Sequence, residues 1–195
     1  MVVAVDFDGC IAYGAGVKIR YAKQAFGIEL RIQETAEETF PHGKQAYRRM
    51  MDAVGSELIG EYELAPNCRE VLARLAKEGA RIFVVTSRYD RELEAAKWFI
   101  QKHSLPITDV RNTNDAPKRT VLKEILAAAM LEDTLSKLVQ LEGAVPALYF
   151  MKQPWNLHEQ ESASQLQFIA PVNDWVSFYS SLTGKDFYGK LSGKT

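Results

Sequence analysis

The sequence predicts an α/β protein: a parallel sheet with helices on both faces, and a small helical insertion after the first strand. Three observations carry this. Short apolar runs rich in β-branched residues, beginning with "VVAV" at 2–5 and "RIFVV" at 81–85, read as strands buried on both faces. They alternate with helical segments of roughly ten residues, the pattern of βαβ units. The exception is residues 11–63, about fifty residues with no convincing strand, too long for a connection inside a compact domain.

In chain order, "MVVAV" is the first strand and ends at Asp6-Phe7-Asp8-Gly9. Residues 17–27, "VKIRYAKQAFG", carry apolar positions at helical spacing and stop at Gly27. Residues 34–60 are polar and helical in flavour, broken at Pro41-His42-Gly43. "NCREVLARLAKEG" is an amphipathic helix with Asn67 as N-cap and Gly79 as C-cap. "ARIFVVTSR" is a second buried strand, "DRELEAAKWFIQKHS" a helix, and "ITDVRNT" a weaker strand. "PKRTVLKEILA" is a helix with Pro117 near its first turn. "AAML" runs into Glu132-Asp133, "TLSKLVQLEG" is helical, "VPALYFM" and "LQFIAPV" are strands, and "NDWVSFYSSL" is the last helix. This divides the chain into a core of residues 1–12 and 64–183, a helical cap of 13–63, and a loose tail of 184–195.

Composition narrows the function. With 195 residues, 47% hydrophobic and 25% charged, the chain suits one substantial core. A formal net charge of -1 gives no signal for nucleic acid or an anionic membrane surface. The longest apolar stretches are too short to span a bilayer, and the first has no basic leader. Cys10 and Cys68 make no disulfide framework, and three scattered histidines make no zinc site. The expectation is a cytoplasmic globular protein, monomer or homodimer.

The chemistry lies at the strand ends. If the chain stays extended through Asp8, Asp6 and Asp8 point to one side with α-carbons roughly 6–7 Å apart. Taken alone, Asp and Gly are common in turns. Thr86, Ser87 and Arg88 follow "RIFVV", Lys118 opens a helix, and Glu132-Asp133 follow "AAML". Singly these read as a helix cap, a solvated lysine and a polar loop. Together they bring four acids, a hydroxyl and a lysine to the edge of the sheet where open α/β folds place ligands.

This order resembles the haloacid dehalogenase superfamily, whose hydrolases carry four motifs in the same sequence. Motif one looks like Asp6-Phe7-Asp8-Gly9, motif two like Thr86, motif three like Lys118, and motif four like Glu132-Asp133. The resemblance spans residues 1 to about 180 and implies a Rossmann-like core with a helical cap inserted after motif one. It implies that Asp6 is the nucleophile that takes up the phosphoryl group, and that Asp8 protonates the leaving alkoxide and then activates water. It implies Mg²⁺ held by Asp6, the Asp8 backbone carbonyl and one acid of Glu132-Asp133. Thr86, with Ser87, Arg88 and Lys118, would bind the phosphate. Two departures stand: Cys10 where the family usually has threonine, and Glu132 where it usually has aspartate, leaving open which carboxylate meets the metal.

Asp8 favours phosphate-ester hydrolysis, since dehalogenases usually lack the second motif-one aspartate. "QPWN" at 153–156 and "VVTSR" at 84–88 resemble the 5′(3′)-deoxyribonucleotidase-like branch. The expected activity is therefore a magnesium-dependent phosphomonoesterase on a small phosphorylated metabolite or nucleotide. Phe40, Tyr47, Arg20 and Arg48 of the cap are candidates to stack a base or hold a second phosphate. The alternatives are a phosphotransferase using the same residues, or a non-catalytic phosphate- or metal-binding protein on the same scaffold.

Overall fold

The computed structural model describes residues 1–113 and 117–189. Its main sheet has six parallel strands: β1 (Val2–Val5), β4 (Arg81–Thr86), β5 (Asp109–Asn112), β6 (Ala129–Glu132), β7 (Ala147–Met151) and β8 (Ile169–Val172). Their order across the sheet is β5-β4-β1-β6-β7-β8. β1 thus lies between β4 and β6, pairing Val5 with Val84 on one side and Leu131 on the other. The chain steps outward from β1 first to one edge and then to the other. The crevice beyond the carboxyl ends of β1 and β6 is therefore the topological switch point, where such sheets bind ligands.

Continuous apolar strands need cover on both faces, and the sheet has it. Val3 and Val5 enter one core with Ile82, Val84 and Leu131. Helices α3 (Cys68–Lys77), α4 (Asp90–Lys102) and α8 (Trp175–Thr183) cover it with Leu72, Phe99 and Phe178. Val2 and Ala4 enter the other core with Val85 and Met130. There α5 (Lys118–Glu124), α6 (Leu135–Val139) and α7 (Leu157–Gln165) contribute Leu122, Leu138 and Ala163. Adjacent residues of β1 go to opposite faces, the period-two alternation of a strand. The α/β architecture read from the sequence is the one observed.

Within residues 11–63 the chain forms α1 (Ala15–Phe26), α2 (Gly43–Val54) and two short 3₁₀ turns, Ile32–Glu34 and Ile59–Glu61. A two-stranded antiparallel ribbon joins them to the rest: β2 (Ala12–Tyr13) against β3 (Glu63–Leu64). The sequence reading has no strand here because two residues carry no periodicity. Val17, Met50, Met51 and Val54 of this segment are buried against the first of the two cores. Asn67 precedes α3 in the left-handed conformation (φ 60°), and its side chain caps nothing. At the other end, Phe187 packs edge-on to Tyr179 at 5.4 Å, so the chain past Gly184 stays against α8 to that point. The remainder of the expected tail, 190–195, lies outside the described residues. Among the described residues, no helix is long and apolar enough to cross a membrane.

Candidate active site

Asp6 follows the last residue of β1, and its backbone N–H still donates to the Leu131 carbonyl at 2.8 Å. Glu132 is the last residue of β6, and Asp133 follows it. All three side chains are buried, with carboxylate oxygens within 4.8 Å of one another. Lys118, on the first turn of α5, donates to Asp6 Oδ1 at 2.5 Å and also to Glu132 Oε2. Lys137 of α6 lies 3.9 Å from Glu132. Three carboxylates in one buried spot resist joint ionisation. Burial, with the Glu132 charge adding to it, raises the Asp6 carboxyl against the pull of Lys118. Asp133 is raised well above the usual range by burial and by the charges of Glu132 and Asp6. Glu132 is buried too, but Lys118 and Lys137 outweigh that and hold it below its ordinary value. Hard oxygen donors this crowded suit a magnesium-like cation, which offsets the repulsion.

Two local features fix Asp133. Gly9 has φ +75°, and a Cβ there would lie 1.8 Å from Asp133 Oδ2. Only glycine lets the motif-one turn pass so close to that carboxylate. The loop 153–156 then stitches both motifs together. Trp155 Nε1 donates to Asp133 Oδ2 at 2.7 Å, and Asn156 Nδ2 donates to the Asp133 carbonyl at 2.7 Å. Gln153 Nε2 donates to the Gly9 carbonyl at 2.8 Å. The "QPWN" stretch is thus a brace for the acidic cluster.

Asp8 is not part of that cluster. Both its oxygens accept from Arg88, from Nε at 2.7 Å and from Nη2 at 2.8 Å. Burial works to raise the Asp8 carboxyl, but the Arg88 charge and its paired hydrogen bonds win and hold it at about 2. Arg88, expected from the sequence to help bind phosphate, is here paired with an aspartate. Thr86 closes β4 and is buried, its Oγ1 accepting the Arg88 backbone N–H at 3.2 Å. Ser87, next along, lines the cleft together with Asp6 and Asp8.

The opposite wall comes from the insertion. Lys18, Tyr47 and Arg48 line the cleft. The buried Lys18 Nζ donates to Tyr47 Oη at 3.0 Å and to the Thr35 carbonyl at 3.1 Å. The other two cap candidates go elsewhere: Phe40 is buried against Tyr47 in the cap, and Arg20 pairs with Glu61 at the surface. Sequence reasoning missed Lys137, Lys18 and the bracing role of Trp155. Lys137 lies in the short helix directly after Glu132-Asp133, and that nearness in the chain is the signal that could have flagged it.

The model of one family, "5′ nucleotidase, deoxy (Pyrimidine), cytosolic type C protein", matches residues 1–173. No curated protein is significantly similar in sequence. Among solved structures, a HAD-family hydrolase from Deinococcus radiodurans R1 with bound phosphate and sodium aligns with TM-score 0.71 at 14% identity, covering 94% of this chain and 95% of that one. A predicted phosphatase from Clostridium acetobutylicum gives 0.68 at 12% identity, covering 94% and 98%. A predicted phosphoglycolate phosphatase from Haemophilus somnus 129pt gives 0.64 at 13% identity, covering 93% and 97%. At such identities these likenesses speak for the fold, and the family match speaks for the lineage. The chain belongs to the cytosolic type C deoxy-5′-nucleotidase family, and its fold is that of the haloacid dehalogenase-type phosphatases.

Proposed function

We propose that the protein is a magnesium-dependent phosphomonoesterase that works through a phosphorylated Asp6, with nucleoside monophosphates as the first substrates to try. The observation that carries this is the convergence of Asp6, Glu132, Asp133 and Lys118 at the carboxyl ends of β1 and β6. Asp6, Glu132 and Asp133 would hold the metal. Bound there, a divalent cation supplies Lewis acidity and counter-charge for an incoming phosphate.

The protein's own side chains supply the rest. An Asp6 oxygen forms a bond to phosphorus while the ester P–O bond breaks, and Asp8 gives its proton to the leaving oxygen. Water then attacks phosphorus, the bond to Asp6 breaks, and Asp8 recovers a proton from that water. Lys118 orients Asp6 and counters charge building on the phosphoryl oxygens, with Thr86 and Ser87 as hydroxyl donors beside it. Trp155 and Asn156 keep Asp133 in place throughout.

The insertion, residues 13–63, serves as the cap over the core. The cleft beneath it measures about 100 Å³, against the 300–1,000 Å³ typical of pockets for drug-sized ligands. It has room for a phosphoryl group with a small polar attachment. Both cysteines are free and buried, which together with the family's cytosolic-type name supports a cytoplasmic setting.

The test is phosphate release from a panel of nucleoside monophosphates and small phosphoesters, with magnesium and with chelator. Release that needs magnesium and disappears in Asp6→Asn is the expected result. No release from any ester by folded protein overturns the proposal.

A further inference from the structure

Two lysines of the site are buried to the same depth and partnered differently. Lys118 and Lys18 are each 9% exposed, which is rare for a lysine without a paired acid. Lys118 has two acids, Asp6 and Glu132. Lys18, on α1 of the cap, has only neutral partners, the Tyr47 hydroxyl at 3.0 Å and the Thr35 carbonyl at 3.1 Å. An ammonium carries three donors, so one is left over. Among the described residues no carboxylate forms an ion pair with it. Burial works against its charge, but Tyr47, Tyr62 and Asp8 outweigh that and keep it protonated. A buried cation without a counter-charge is costly, and this one lines the cleft that holds Asp6 and Asp8. A second buried group beside it is also unsatisfied: among the described residues, Tyr62 Oη has no hydrogen-bond partner. Tyr62 lies behind Gly14, which lines the same cleft; a Cβ on Gly14 would sit 2.7 Å from Oη and 2.2 Å from Cζ. Glycine there leaves the phenol its place at the cleft wall. The carboxylate whose charge acts most on both Lys18 and Tyr62 is Asp8, and Arg88 already holds it.

We propose that Lys18 and Tyr62 form a specificity subsite for a carboxylate on the leaving alcohol, so that the preferred substrates are short phosphorylated hydroxy acids. The inference rests on the proposed chemistry at Asp6 and Asp8, and narrows it to a substrate class. With phosphorus at Asp6 and the ester oxygen at Asp8, the carbons of the alcohol run from Asp8 toward the wall where Lys18 and Tyr62 stand. A carboxylate there accepts one charge-assisted bond from the third Lys18 N–H and one from the Tyr62 O–H. It brings the missing counter-charge and satisfies both groups at once. The cleft, about 100 Å³, limits the spacer to a few carbons. A second phosphate has more oxygens than two donors satisfy, and a nucleoside brings no second anion.

The test uses three esters of one chain length, the terminal phosphates of hydroxypropionate, propanol and aminopropanol. All three expel an alkoxide, and they end in a carboxylate, a methyl and an ammonium. With the unmodified protein, kcat/KM should fall in that order. The carboxylate should exceed the methyl by about 10–100-fold, the worth of a hydrogen bond to a charged group. The gain should lie mainly in KM, because the carboxylate is held alike before and during the reaction. Lys18→Met should lose most of this preference, Lys18→Arg should keep it and Tyr62→Phe should lose part of it. Each readout is a ratio within one variant, so a general loss of activity does not imitate it. The order in the unmodified protein remains decisive if a variant does not fold. Equal kcat/KM for the carboxylate and methyl esters, or a preference undiminished in Lys18→Met, overturns the subsite and leaves the phosphatase reading intact. Higher kcat/KM for propanediol bisphosphate than for the carboxylate ester also overturns it, assigning the wall to phosphate. No release from any ester by folded protein overturns the phosphatase reading and the subsite with it.

Discussion

Replacing Gly9 with alanine tests whether motif one and motif four are locked together as the geometry demands. The added Cβ would lie 1.8 Å from Asp133 Oδ2 and 2.4 Å from its carboxyl carbon, distances no real contact allows. Either the turn or the carboxylate must move. The left-handed backbone, φ +75°, costs an alanine about 1–2 kcal/mol. Moving Asp133 disrupts its bond from Trp155 Nε1 and leaves that buried donor unsatisfied, which costs about 1–3 kcal/mol. The expected loss is about 2–5 kcal/mol, and at about 2–4 °C per kcal/mol for a chain this size it lowers Tm by about 5–20 °C. The control is Gly27→Ala, where φ is +67° and no atom lies within 4 Å of the added carbon. It carries the backbone term alone and should cost about 1–2 kcal/mol. Thermal unfolding followed by circular dichroism, in chelator so that metal binding plays no part, measures both. Equal losses for the two variants would refute the close approach of Gly9 to Asp133.

Three further outcomes follow from the same geometry. Lys118→Met leaves Asp6 and Glu132 buried without their shared cation, so unfolding free energy should fall by about 3–5 kcal/mol and phosphatase activity should vanish; a stable, active variant contradicts the pairing. Trp155→Phe removes the donor to Asp133 Oδ2 and should weaken magnesium binding about 10–100-fold by calorimetry, with unchanged affinity counting against the brace. Glu92 is 5% exposed with Oε1 unpartnered, and burial raises its carboxyl although Arg88 pulls the other way. A carboxyl raised on folding costs stability as pH climbs through the interval from its unfolded value to its folded one. Glu92→Gln should therefore be more stable than the parent at neutral pH and lose that advantage below pH ~4; an advantage that grows on acidification refutes the assignment.

Much of the fold was legible because burial on both faces leaves an unmistakable mark on β1, β4 and β7: runs such as VVAV and ALYFM in which every residue is apolar. Strand ends then gave the positions of Asp6, Thr86, Glu132 and Asp133, since the last residue of each strand faces the same crevice. What stayed hidden depends on long-range geometry. The partners Arg88 and Asp8 are 80 residues apart, and Gln153 reaches the Gly9 carbonyl across 144. No local pattern encodes such meetings. The β2–β3 ribbon is hidden for another reason, being only two residues per strand. Lys18 reads as the polar side of an amphipathic helix, yet it is buried, because Tyr47 and the Thr35 carbonyl lie within its reach on the inner face of the cap.

The two motif-one aspartates sit in opposite electrostatic settings, and the settings are the reverse of the tasks proposed for them. Asp6, the proposed nucleophile, has its proton affinity raised by burial and by Glu132. Asp8, the proposed proton donor, is 33% exposed and held at about 2 by the Arg88 fork. Environments that push neighbouring carboxyls apart are the usual means of assigning acid and base roles, and here they run opposite to the roles proposed. Each inversion has its own release. Counter-charge among Asp6, Glu132 and Asp133 removes the repulsion that raises Asp6, which ties attack to loading of the acidic cluster. Separation of Asp8 from Arg88 would let the carboxyl accept a proton. Chelation should then suppress aryl and alkyl esters alike, whereas Asp8→Asn should fall hardest on the alkyl esters, whose leaving alkoxide needs the proton. An equal shift of the alkyl-to-aryl ratio under both treatments would refute this division of roles.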